Sequence, residues 1–441
     1  MKITNNSHKL ISFFVENNCI TDVTQTKKTN AIFTDIYHEI HNGFKYIESI
    51  KNKNKMDYNG EYKMEYKMEY KKINNISQIP KPSTFLFTSF PSDIQLYINT
   101  STVSSLTYSL HLFDKDITII FVLENKATDA VIKCYNKYVD NMLVWLYIII
   151  QHASNKCAAT IQIFIYHTSL TKKLPQTKND VLSETHVNTA FTRTCPVNSE
   201  IVIFRKEEWF KVFIHETFHN FGLDFSDMAN HTCHSKILSI FPVKSEVNLF
   251  EAYAEFWART INVLFCSYHN MTTQNQNKNQ NKNDINIFLT NVEFFMNYER
   301  IYSFFQMVKV LDFMNVSYTT LYSPTVQSHI IRKNNYKENT NVLSYYVITL
   351  LLINNYQEFI LWCNVNNSSL LQFKKTIANQ HSFCKFIEKK YKSKQLLDGI
   401  EHTELLLTSM TNKNTNAGSN KGNPDIHFLL HNLRMTLCEL G

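Results

Sequence analysis

The pentapeptide His215-Glu216-Thr217-Phe218-His219 gathers three side chains that can do hydrolytic chemistry. Histidines four apart project from one face of a helix, so two imidazoles can converge on a single ion. Glu216 points about a quarter-turn away, where it can take a proton from water held by that ion instead of ligating it. A divalent ion lowers the pKa of such water from ~15.7 toward ~7, within reach of a carboxylate base. The other explanation is two core histidines that happen to be spaced by four. It would leave Glu216 without a partner in an apolar helix.

One zinc ion on this helix needs a third protein ligand and a fourth position open to water. A second acidic helix lies downstream. Ser245 is expected to cap it after Pro242, with Glu246 in its first turn. Within 247–258, Glu251 and Glu255 share a face, and Ala252 and Ala254 permit close helix–helix approach. Arg259 continues the i+4 series, so an exposed Glu–Glu–Arg ladder is the competing reading.

The elements that must position these residues follow from periodicity. Residues 200–204 read as a short strand. The stretch 205–221 has apolar residues at helical spacing, Glu207 and Glu208 in its expected first turn, and Gly222 directly after it. Upstream, 117–124 and 159–166 read as strands, 128–151 as a long helix and 186–193 as a further strand.

With these residues in view, the chain resembles the gluzincin class of zinc metalloproteases. There, HExxH is followed by a glutamate helix of the form E-x-x-A-E or E-x-x-x-D. "EAYAE" at 251–255 is similar to the form seen in lethal-factor-like toxin proteases. The resemblance implies His215, His219 and Glu251 as ligands of one Zn2+, Glu216 as general base, and Glu255 as the acid that hydrogen-bonds a ligand histidine. The metzincin pattern HExxHxxGxxH fits at His219 and Gly222 but fails at Phe225, with Asp224 one residue off. In the zincin fold an edge strand ahead of the metal helix pairs with extended substrate; Asn188 and Ala190, within 188–191, are the candidates. An ordinary strand with one polar face is the plain alternative. Tyr253, His231 and His234 are candidate oxyanion donors. The cluster 230–234 reads as a loop that could alternatively be a small metal site of its own.

The expected fold class is α+β: a zincin-like catalytic domain, with a small mixed sheet, a metal-binding helix and a glutamate helix, and a mostly α-helical C-terminal subdomain. The expected segments are 1–75 with a charged EYKM repeat, 76–270 catalytic, and 285–441 helical. Polar runs at 272–284 and 411–424 read as surface loops, the second leading to an amphipathic segment at 426–440. With 44% hydrophobic residues, 32 Phe and 23 Tyr, the chain has material for a substantial core. A net charge of +7 without a dense basic patch does not indicate nucleic-acid binding. The longest apolar runs, 142–150 and 342–353, are too short to span a bilayer. Nine scattered cysteines without a CxxC pair read as reduced thiols, and no signal-peptide pattern is visible, so a soluble intracellular protein is expected.

Abundant Asn, Lys, Ile and Tyr point to an AT-rich genome. Together with "HETFHNFGLDF", the chain is similar to zincin-like proteins of giant DNA viruses. That implies the cytoplasm of a host cell or the virion as its place, and a protein or peptide as its substrate. A catalytically inactive zincin fold serving as a binding or structural virion component is the first alternative. A helical interaction protein without metal is the second.

Overall fold

Runs of apolar residues without alternation, as at 119–123 and 163–166, suit strands buried on both faces, and the chain uses them so. The computed structural model describes residues 1–17, 20–53, 69–87, 89–275, 284–416 and 424–441. The architecture is mixed α+β, with one six-stranded sheet. The chain divides into two compact units. One comprises Met1, Ala31–Thr171 and Thr189–Asp224; the other comprises Lys2–Asn30, Lys172–Asn188 and Phe225–Gly441. This division cuts across the segments expected from sequence.

The first unit holds the sheet: β1 (Glu69–Ile73), β2 (Ser104–Leu112), β3 (Lys115–Leu123), β4 (Thr160–His167), β5 (Ala190–Thr192) and β6 (Asn198–Ile203). Their order is β1-β2-β3-β4-β6-β5. Strands β3, β4 and β6 run parallel, whereas β5 lies antiparallel to β6 at the edge, Ala190 opposite Ile203. One face of the sheet buries Ile120, Val122, Phe164 and Val202 against Phe85, Phe90, Ile94 and Ile98. On the other face, Phe121 meets Tyr135 of the helix Asp129–His152 at 4.7 Å and Trp209 of the helix Trp209–Asn220 at 6.2 Å between ring centroids. The helix Lys27–Lys53 approaches Asp129–His152 at Gly43, where an added Cβ would stand 2.9 Å from Val144 Cγ1.

The second unit is helical. Its helix Asp284–Phe313 is buried on every side from Phe295 to Leu311, the mark of a central helix. Charges within it are bonded. Glu299 accepts from Arg259 at 2.8 Å and from the backbone N–H groups of Leu437 and Cys438 at 2.8 Å each. Arg259 is therefore committed to Glu299 and not to an exposed ladder.

Several expectations are corrected. The motif helix starts at Trp209, because Glu208 takes a left-handed conformation (φ 61°), so Glu207 and Glu208 precede its first turn. The glutamate helix starts at Leu249; Val247 has φ 42°, and Ser245 Oγ accepts the Val247 N–H at 3.2 Å instead of capping the helix. The strand expected at 186–193 shrinks to Ala190–Thr192, preceded by the one-turn helix Glu184–Val187. Asn188 ends that turn and is not part of the strand. The cluster 230–234 opens the helix His231–Ile240 and is not a loop. Helices extend into the polar runs as far as Asn275 and Asn416, while 276–283 and 417–423 lie outside the described residues. Copies of the EYKM repeat at 61–68 also lie outside them, and the last copy enters β1. Beyond the helix Pro424–His431 the end of the chain is extended, with Leu440 bridging Ile3.

Cys157 and Cys195 form a disulfide, so the expectation of thiols throughout fails at these two positions. Spacing alone could not show it, since the pair is 38 residues apart. Among the described residues, no helix is long and apolar enough to cross a membrane.

The first unit also contains a buried imidazole with a cost at low pH. His167 is held down to a pKa of about 3, first by burial and then by Lys206, and its Nδ1 meets the Tyr135 hydroxyl at 2.8 Å. Its folded pKa lies below the unfolded value near 6.5, so protonation favours the unfolded chain. Stability is complete above pH 6.5 and falls as pH drops toward 3. At pH 4.5 the loss from this group is about 2–3 kcal/mol. Denaturant unfolding at pH 7 and pH 4.5 is expected to show His167→Gln losing less stability between the two than the wild type.

Candidate functional site

All 12 residues of Trp209–Asn220 are buried, six of them polar: Lys211, His215, Glu216, Thr217, His219 and Asn220. A helix so enclosed must bond its polar groups internally. Trp145 Nε1 donates to Thr217 Oγ1 at 2.8 Å, and Thr217 Oγ1 donates to the Ile214 carbonyl at 2.6 Å. Asn220 Nδ2 donates to Thr192 Oγ1 of β5 at 3.0 Å and also to Ser199 Oγ of β6. The end of the helix is thereby tied to the sheet edge.

The two imidazoles face each other, His215 Nε2 to His219 Nε2 at 3.1 Å. Two nitrogens each ~2.0–2.1 Å from one ion at a tetrahedral angle would stand about 3.3 Å apart. The spacing on the helix therefore fits ligation of a common ion. Behind His219, Asp224 Oδ2 accepts from Nδ1. A carboxylate only accepts, so Nδ1 carries the proton and the Nε2 lone pair is presented toward His215.

Asp224 reaches that position because the chain reverses at Gly222, where φ is 63°. Gly222 N–H bonds the His219 carbonyl at 3.0 Å, and Leu223 N–H bonds that of Phe218 at 2.9 Å, closing the helix with its orphan carbonyls satisfied. The Cys195 N–H adds a 3.2 Å bond to the same His219 carbonyl. The disulfide to Cys157 thus braces the β5–β6 turn that abuts the end of the motif helix.

On the glutamate helix Leu249–Asn275, Glu251 is half-buried and Glu255 is buried. Tyr345 Oη donates to Glu251 Oε2 at 2.9 Å. Tyr253 donates its hydroxyl proton to the Leu371 carbonyl at 2.8 Å and accepts from Asn367, so this candidate oxyanion donor is committed to structure. Phe225, at the position a metzincin would give to histidine, packs against Phe373 with ring centroids 4.3 Å apart.

One donor atom from each of His215, His219 and Glu251 falls within 4.8 Å of the others. Among the described residues this is the one group of histidine, cysteine and acidic side chains that could hold a metal ion. His231 and His234 are not part of it; they sit in the first turn of His231–Ile240, exposed and half-buried respectively. Asn188 accepts a 3.1 Å bond from Thr340 Oγ1, while Ala190 lies in the edge strand.

Sequence reasoning missed Asp224 and Tyr345. The signal for Asp224 was present: a glycine after the helix reverses the chain, which returns the next acidic residue to the last turn. Nothing local marked Tyr345, 94 residues from its partner. Comparison with protein-family models, with curated proteins and with solved structures finds no match.

Two outcomes are expected. Asp224→Asn should weaken zinc binding roughly 10–100-fold in a chelator-competition titration, since a neutral amide supports His219 less well; unchanged affinity would remove Asp224 from the site. Peptide mapping without reductant should recover Cys157 linked to Cys195. Breaking that bond should cost about 3–4 kcal/mol in denaturant unfolding, the chain entropy of a loop this long.

Proposed function

We propose that the chain is a zinc peptidase of the gluzincin kind, in which His215, His219 and Glu251 hold one ion and Glu216 is the general base. The observation that carries this reading is the grouping of those three donors within 4.8 Å. Zinc bound there supplies a Lewis acid that polarises a peptide carbonyl and acidifies water. Glu216, adjacent to His215 but turned away around the helix, takes a proton from water and returns it to the leaving amine. Asp224 keeps the proton of His219 on Nδ1, so that Nε2 is the ligating nitrogen. With that distal nitrogen engaged, the role the resemblance gives to Glu255 falls to His215.

The sheet supports the same reading. Strand β5 is antiparallel, lies at the edge and comes just before the strand that leads into the motif helix. An extended segment of a protein substrate would add alongside it, near Ala190, by backbone hydrogen bonding. The setting we propose is the infected host cytoplasm or the virion. A disulfide favours the virion, because cytosolic thiols are kept reduced.

The test is metal content and cleavage of an unfolded protein substrate by wild type and Glu216→Gln, both purified without chelators. Both should carry roughly one zinc per chain. The variant should lose turnover by about 10²–10⁴-fold. Zinc well below stoichiometry in the wild type would sink the metal site; equal cleavage by the two would sink Glu216 as base. Glu251→Ala should lose zinc affinity more severely than Glu255→Ala, and the reverse order would exchange their roles.

A further inference from the structure

We propose that Tyr345 is a positioning residue for Glu251: its hydroxyl fixes the carboxylate's rotation and so sets its strength as a ligand. The proposal rests on the metal-site reading above. Tyr345 Oη donates its single proton to Glu251 Oε2 at 2.9 Å. A half-buried glutamate side chain otherwise has three rotatable bonds, and an ion meeting it must first arrest them. A phenol already bonded to one oxygen does this in advance and biases the carboxylate toward offering a single oxygen. The logic is that of the acid behind a ligating histidine, here applied to the carboxylate ligand.

The surroundings of Tyr345 hold it in place. It lies on the π-helical stretch Leu343–Ile348, a wide turn that is rare and frequently found at functional sites. Thr349 Oγ1 donates to the Ser344 carbonyl at 2.9 Å within this stretch. At its start, the half-buried Glu338 carboxylate accepts the Leu343 N–H at 2.9 Å. Asn341 Oδ1 accepts from Asn248 Nδ2 at 2.9 Å, immediately ahead of the glutamate helix. The next residue, Tyr346, donates to the Leu433 carbonyl at 2.7 Å. Asn248 thus tethers the residues just before the π-helical stretch to the segment that leads into the glutamate helix, and the hydroxyl reaches Glu251 from a fixed base.

The experiment compares metal-stripped wild type, Tyr345→Phe, Glu251→Ala and the double variant. It reads zinc affinity by competition with a chromophoric chelator and Tm without metal. Tyr345→Phe should bind zinc about tenfold more weakly with the metal-free Tm nearly unchanged, since one hydrogen bond at a ligand is lost and no packing is. In the Glu251→Ala background the same change should have no further effect on zinc affinity. Wild-type affinity in Tyr345→Phe, or an equal loss in both backgrounds, would overturn the positioning role while leaving the metal site standing. A wild type that binds no zinc overturns the metal-site reading itself, and this proposal with it.

Discussion

Enclosure of the motif helix is the constraint from which the rest follows. A helix buried along all of Trp209–Asn220 with six polar side chains is a poor design for a plain core, because each polar group forfeits water. The chain answers with dedicated partners. Trp145 reaches Thr217 from the long helix, Thr192 and Ser199 meet Asn220 from the sheet, and Asp224 returns to His219. These bonds fix the rotation of the helix about its axis and hence the direction in which both histidines point. The polar face of the motif is thus held in order at Thr217, His219 and Asn220.

Much of this was legible in the chain, and the reason is local. The strands β3, β4 and β6, the long helix Asp129–His152 and the Gly222 stop each announce themselves within a window of about a dozen residues, where periodicity and cap chemistry decide. The HExxH spacing told which side chains share a face, and the structure places His215 and His219 nitrogens 3.1 Å apart. What escaped depends on tertiary partners. Left-handed Glu208 and Val247 delay two helices by a few residues, although neither residue type favours that conformation. The 186–193 stretch alternates like a strand, yet its first residues form a capped turn at Ser183. The Cys157–Cys195 bond and the Tyr345–Glu251 bond join positions far apart in sequence.

The helical unit follows the same rule of burial and satisfaction in another place. Glu299 lies deep in the central helix and gathers Arg259 together with the backbone of Leu437 and Cys438. A buried ion pair contributes little net stability by itself but is costly to break, because one removed partner strands the other charge. Here the carboxylate also terminates a stretch of extended backbone that would otherwise carry unpaired N–H groups. That end of the chain in turn meets the beginning through Lys2 and Gly441. Both ends of the chain are therefore held by backbone bonds, not by packing alone.

The strand β1 has an evolutionary corollary. It pairs Glu69–Ile73 with 105–109 of its neighbour, and it starts at the third copy of a tandem four-residue unit. Side chains in a strand alternate with period two, so a shift by one unit of four returns every residue type to the face it left. A shift of the paired segment by one copy would keep Glu, Tyr and Lys on their faces and put methionine at the place of Lys72 and glutamate at that of Ile73, whereas a unit of odd length would turn the strand inside out. A tandem unit of even length thus keeps the facing of its own residues when the register moves by a copy, and Ile73 marks where the array must stop.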